Sequence, residues 1–233
     1  MPRGMTRIAG LIVVFVLALA APAAADTTLG STSIPAGASG RDCNGAVIAQ
    51  LTSDPSTPYT VPSPPIGSLA SWQVNTTGAV PGTPVTLLVL RSPDAVNYTV
   101  IGAETQAVPS SPPGGIATFT VPTPIAVGGG DTLALYSPSG MDVFACYFRD
   151  GATPAADSLI SLSTAATPVV GQALARDDSS GGGYTLNLAA TLKAPPPKKK
   201  CKKHRHKAAA TNTPAGPTAD SAKKKKCKKK KKR

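Results

Sequence analysis

Pro84–Ser92 reads PVTLLVLRS. Side chains of an extended chain alternate between two faces, and here both faces are apolar. A strand that exposed one face would carry polar residues at every second position. This one is therefore expected at the centre of a sheet, covered on both sides.

Runs of similar length flank it. They are Ala46–Leu51, Leu69–Asn75, Asn97–Gly102, Ile116–Val121, Asp131–Ser137, Met141–Phe148 and Tyr184–Lys193, separated by Pro, Gly, Asn and Asp. Helical periodicity is almost absent. Short strands with turn signals between them predict an all-β fold, an antiparallel β-sandwich of jelly-roll-like type. Alternation assigns the buried faces: Ala70, Trp72 and Val74 share one, Leu133 and Leu135 another, Leu186, Leu188 and Ala190 a third. Phe144, Cys146 and Phe148 also share a face. Proline has no N–H for a ladder. The stretches Pro62–Pro65, Val80–Pro84 and Val121–Pro124 are therefore expected as loops or strand ends, and Ser179–Gly183 as a flexible loop.

The two ends of the chain differ from this middle. Arg3 and Arg7 precede an uncharged apolar run, Ile8–Ala21, and small residues at Ala23 and Ala25. That order is a secretory signal, with cleavage expected after Ala25. Residues 1–25 are thus read as signal peptide, 26–193 as the β domain and 194–233 as a tail. Charge divides at the same point. Asp26–Leu192 holds four arginines against eleven acidic residues, a formal −7, whereas Lys193–Arg233 holds eighteen basic residues against Asp220, a formal +17.

The tail opens with three prolines and has almost no large apolar side chain. Burial cannot offset its ordering entropy, so disorder is expected. Its cations fall in two groups. The first is Lys198, Lys199, Lys200, Lys202, Lys203 and Lys207; the second is Lys223, Lys224, Lys225, Lys226, Lys228, Lys229, Lys230, Lys231 and Lys232. Charge asymmetry of this kind suggests an anionic partner. An anionic cell-wall polymer, a lipid surface or another polyanion would serve, and non-specific nucleic-acid binding follows from the same charge.

Four cysteines are present. Cys43 and Cys146 lie in the domain, and an exported chain with an even count suggests a disulfide between them. Cys201 and Cys227 sit among the lysines. Neighbouring ammonium groups favour the thiolate, so both are expected to be reactive.

The stretches Leu69–Asn75, Pro84–Glu104 and Phe119–Ser137 together resemble a β-sandwich module of exported proteins in high-GC Gram-positive bacteria. The pattern is a tryptophan strand, a hydrophobic strand ending in basic-x-proline, a strand ending in glycine, and a glycine-aspartate hairpin. Trp72, Arg91, Pro93, Tyr98, Gly102, Pro122, Val127, Gly130, Asp131, Leu135 and Tyr136 fall on it. Tyr184–Lys193 resembles its closing strand, and Lys-Cys-Lys tails recur in such proteins. The chain departs where Pro124 replaces the usual arginine and Ala126 a proline. The resemblance implies the fold but no activity.

Catalytic chemistry finds little support. Nucleophilic catalysis needs a base within reach, and both histidines, His204 and His206, are in the tail. No P-loop or G-x-S-x-G occurs. The carboxylates that a glycosidase would pair lie mostly beside Pro, Gly or Ser, as turn residues do. Asp177–Gly183 is oxygen-rich but lacks the EF-hand order. Cys201, His204, His206 and Cys227 are zinc-ligand types, yet the lysines around them repel a dication. No catalytic residue, cofactor or metal is expected. Trp72 is read as core, and Gly128–Asp131 as a turn in which Asp131 accepts backbone N–H bonds. Tyr59, Tyr98 and Tyr136 remain as aromatic platforms for a sugar. Asn75 and Asn97 each begin an Asn-x-Ser/Thr triplet.

These observations lead to an exported, non-enzymatic β-sandwich module, secreted or cell-surface associated, retained at an anionic polymer by its tail. The alternative is a soluble carbohydrate- or ligand-binding sandwich whose tail aids solubility.

Overall fold

A computed structural model describes residues 26–53, 55–63, 67–112, 115–139, 144–149 and 158–194. The signal segment 1–25, the tail lysines, Cys201 and Cys227 lie outside the described residues. The chain divides into two units, Met1–Pro197 and Lys198–Arg233, and every described residue belongs to the first.

Those residues form strands and no helix. In chain order they are β1 Thr27–Ser31, β2 Ser39–Arg41, β3 Val47–Thr52, β4 Gly67–Asn75, β5 Pro84–Arg91, β6 Asn97–Ala107, β7 Ile116–Val127, β8 Thr132–Tyr136, β9 Tyr147–Arg149, β10 Ser158–Leu162, β11 Ala173–Gly182, β12 Tyr184–Leu186 and β13 Leu188–Lys193. They build a four-stranded sheet β1-β13-β4-β7, a closed barrel β10-β11-β6-β5-β8-β3, and a small sheet β12-β9-β2. The fold is all-β and sandwich-like, with one layer closed on itself.

β5 lies between β6 and β8, as its sequence requires. A barrel wall explains both buried faces. Val85, Leu87 and Val89 point outward into a core shared with Trp72, Phe119 and Leu135, under the four-stranded sheet. Leu88 and Leu90 point inward and pack with Val47, Ile160 and Leu174. Each such side chain contributes about 1.5–3 kcal/mol on leaving water. Trp72 is fully buried, its ring centroid 4.5 Å from that of Phe119. Its indole N–H has no hydrogen-bond partner among the described residues.

Several local expectations change. Pro122 and Pro124 lie inside β7 rather than in a loop. β7 is an edge of its sheet, and the register against β4 shifts between Leu69 and Ser71. An edge strand tolerates a missing N–H and is protected by it from further pairing. Ser179–Gly182 belongs to β11, paired with β10, and only Gly183 (φ 84°) turns the chain. Of the strand expected over Met141–Phe148, residues 141–143 lie outside the described residues, 144–146 are not strand and β9 starts at Tyr147; Phe144, Cys146 and Phe148 are buried as foreseen.

The closing stretch also breaks in two. Asn187 is fully buried between β12 and β13. Its Oδ1 accepts the Asn75 N–H at 2.8 Å, and its Nδ2 donates to the carbonyls of Asn75 and Ala145, each at 2.7 Å. The side chain thus supplies backbone partners where the chain leaves one sheet for another. Gln50 plays a similar part. Its Oε1 accepts the Leu186 N–H at 2.8 Å, and its Nε2 donates to the carbonyl of Tyr184 at 3.0 Å, joining the barrel to the small sheet.

Candidate functional site

The small sheet carries the features that shape a site. On β9 alternation puts Phe148 on one face and Tyr147 and Arg149 on the other; Phe148 is buried, and Tyr147, half-buried, shares its face with Leu186 and packs against the core. Across the sheet, Tyr147 lies opposite Arg41 on β2 and Leu186 on β12, while Arg149 lies opposite Tyr184. Diagonal neighbours reach each other in such a register. The rings of Tyr147 and Tyr184 meet edge to face, 5.5 Å between centroids, and the Arg149 guanidinium carbon sits 5.7 Å from the Tyr184 centroid.

A disulfide fixes the adjacent strand ends. Cys43 and Cys146 are bonded, 5.3 Å apart at Cα, and both are buried. The bond joins the residues next to Asp42 and Tyr147. After Cys43 the chain turns tightly. Asn44 and Gly45 have φ of 50° and 76°, and the Ala46 N–H donates to the Cys43 carbonyl at 2.9 Å. Two consecutive positive φ values at Asn-Gly are the mark of a type I′ turn.

Between this turn, the two tyrosines and the β10–β11 side opens a cleft of about 670 Å³. Ile48 and the Cys43 end of the disulfide line its base, both buried. Asp177 stands on the far lip and accepts the Ser163 hydroxyl at 2.7 Å. Arg41 and Asp42 stand on the near lip, and neither side chain has a hydrogen bond or ion pair among the described residues. Burial pushes the Tyr147 phenol above its ordinary value. Tyr184 and Asp42 push the same way, and Arg41 opposes them. Two carboxylates thus share a cleft, but Asp177 is exposed.

The other candidates are accounted for elsewhere. Tyr59, Tyr98 and Tyr136 are buried and cannot serve as platforms. The Tyr59 hydroxyl instead donates to the Leu186 carbonyl at 2.6 Å. Asp131 accepts the Gly128 N–H at 2.6 Å, as the turn reading requires, and also pairs with Arg91. Asp94 caps the turn before β6 and accepts the N–H groups of Val96 and Asn97. Glu104 accepts a bond from Gln106. The Asn75 and Asn97 side chains are both engaged, with Thr77 and Thr32 and with Asp94 respectively. Asp54, Asp142, Asp150 and Asp157, the tail Cys/His set and the side chains of 178–182 lie outside the described residues. Among the described residues no cluster of three His, Cys, Asp or Glu could hold a metal.

Sequence reasoning missed Tyr147 and Tyr184. The signal for Tyr147 was present: it alternates with Cys146 and Phe148, both taken as buried. No family model, curated protein or solved structure matches the chain.

Proposed function

We propose that this chain is an exported, non-enzymatic β-sandwich module held at an anionic surface by its polycationic tail. The observation that carries the reading is the charge division, −7 over Asp26–Leu192 against +17 over Lys193–Arg233. Each lysine near an acidic surface contributes about 1 kcal/mol, within a Debye length of it. Several engaged together suffice for retention. The Cys43–Cys146 bond accords with an oxidising, extracellular compartment, as does the signal-like N-terminus. The resemblance to exported modules of high-GC Gram-positive bacteria belongs to the same proposal.

The test is deletion of Ala194–Arg233, followed by measurement of binding to polyanion-coated beads across a salt series. Full-length protein is expected to bind at low salt and release near 1 M, where the Debye length is about 3 Å. The shortened chain is expected to wash through. Equal binding by the shortened chain, or retention indifferent to salt, would remove the tail as the anchor.

A further inference from the structure

We propose that the cleft beside Tyr147 and Tyr184 is a binding site for a short, neutral saccharide. This inference is independent of the tail. It concerns what the domain itself holds.

Size comes first. A cleft of about 670 Å³ lies within the range of small-molecule sites, roughly 300–1,000 Å³. The lining then excludes an apolar ligand. Among the described residues neither the Arg41 nor the Asp42 side chain has a hydrogen bond or ion pair, so both turn to water. A ligand that removed that water without returning hydrogen bonds would be penalised.

Charge excludes polyions. Arg41 faces the same space as Asp42 and Asp177, so no single sign dominates. A polyanion would meet the carboxylates and a polycation the guanidinium, and like-charge contacts oppose binding.

A neutral sugar satisfies both conditions. Its hydroxyls donate to carboxylates and accept from a guanidinium. Its C–H face packs on an aromatic ring, and Tyr147 and Tyr184 bring rings to the cleft wall.

The site is also held in shape before a ligand arrives. The Cys43–Cys146 bond, the Asn44–Gly45 turn and the β2-β9-β12 register fix the near lip and the tyrosine wall together. Preorganisation of this kind lowers the ordering cost of binding.

The experiment titrates the full-length, disulfide-intact protein with cellotriose, chitotriose and maltotriose at high salt, which screens the tail. Saturation-transfer NMR reads the contact, and thermal midpoints are recorded for every variant. At least one trisaccharide is expected to bind saturably. Arg41→Ala, on an exposed side chain, is expected to weaken it about tenfold through loss of a charged hydrogen bond, with an unchanged midpoint. Tyr184→Ala is expected to weaken it as well, with saturation transfer lost from the sugar C–H protons. The proposal is overturned if none of the three sugars saturates. It is also overturned if a sugar binds Arg41→Ala and Asp42→Asn as tightly as the parent, since both variants alter only the lip.

Discussion

The guanidinium of Arg91 grips both oxygens of the Asp131 carboxylate, Nε to Oδ1 and Nη2 to Oδ2, each at 2.8 Å. The two ends of the pair live differently: the Arg91 side chain is 58% exposed and that of Asp131 only 2%. The contact ties the end of β5 to the turn before β8, and Asp131 holds that turn through the Gly128 N–H. Asp131→Ala removes three bonds and leaves the half-buried Gly128 N–H without its acceptor. A loss of about 2–3 kcal/mol is expected. Arg91→Lys keeps the charge but not the fork, and should cost about 1 kcal/mol or less, because the outer partner is solvated. Denaturant midpoints read by Trp72 fluorescence decide; equal losses would show that the turn does not depend on the carboxylate.

The disulfide closes a separation of 103 residues. The chain-entropy model gives a stabilisation of at most about 4.7 kcal/mol for a loop near that length. Replacing Cys43 and Cys146 together by alanine is expected to lower stability by about 2–5 kcal/mol. Peptide mapping without reductant should recover the two residues in one linked fragment.

Acid should act through Asp94. Backbone and side-chain hydrogen bonds from Asn97, then the N–H of Val96, hold its carboxyl below the usual range. A lowered folded value means that the ionised form is favoured on folding. The contribution is present above the unfolded value near pH 3.9 and is lost as pH falls through the folded one. Asp94→Asn should flatten the stability slope below that pH. At the other end, the raised Tyr147 phenol favours the protonated form. Its contribution is complete below the ordinary phenol value of about 10 and disappears as pH rises through the folded value. Phenolate absorbance in Tyr147→Phe should lack one of the late-titrating groups.

Gly102 sits in β6 directly beneath Ile125 of β7, and a methyl group there would overlap the isoleucine side chain. Gly102→Ala is expected to cost about 1–3 kcal/mol by overpacking. Ile125→Ala should restore part of that loss in the double variant, a coupling that a purely local backbone effect would not show.

The tail thiols offer a separate check. Alkylation of Cys227 at neutral pH should outpace a model cysteine peptide, because lysines surround it. A polyanion, by screening repulsion between the two cation groups, should speed oxidation of Cys201 and Cys227. Equal rates in both comparisons would leave the thiols without such a role.

The strand content was legible because burial imposes alternation, and β5 stood out because a wall covered on two sides allows no polar face. Barrel closure was not legible. It depends on β10 pairing with β3, residues far apart in sequence, and no local pattern encodes that partner. The edge prolines and the strand through Ser179–Gly182 were misread for one reason: composition reports backbone preference, whereas pairing supplies the context that overrides it. The cleft was the least visible feature. Tyr147 and Tyr184 become neighbours only through the register of a three-residue strand, and Arg41 joins them through the same strand.

The position of β13 has a mechanical meaning. It runs between β1 and β4, with Leu188–Leu192 paired to Ser31–Thr27 and Ala189–Lys193 paired to Gln73–Ser68. Any tension on the tail enters the domain at Lys193, the last residue of that strand. Sliding β13 out would shear both ladders at once instead of unzipping one bond after another. Resistance to such a pull depends on the rate of unfolding under force rather than on equilibrium stability. A domain anchored by its tail would therefore meet drag at one of its most firmly seated strands.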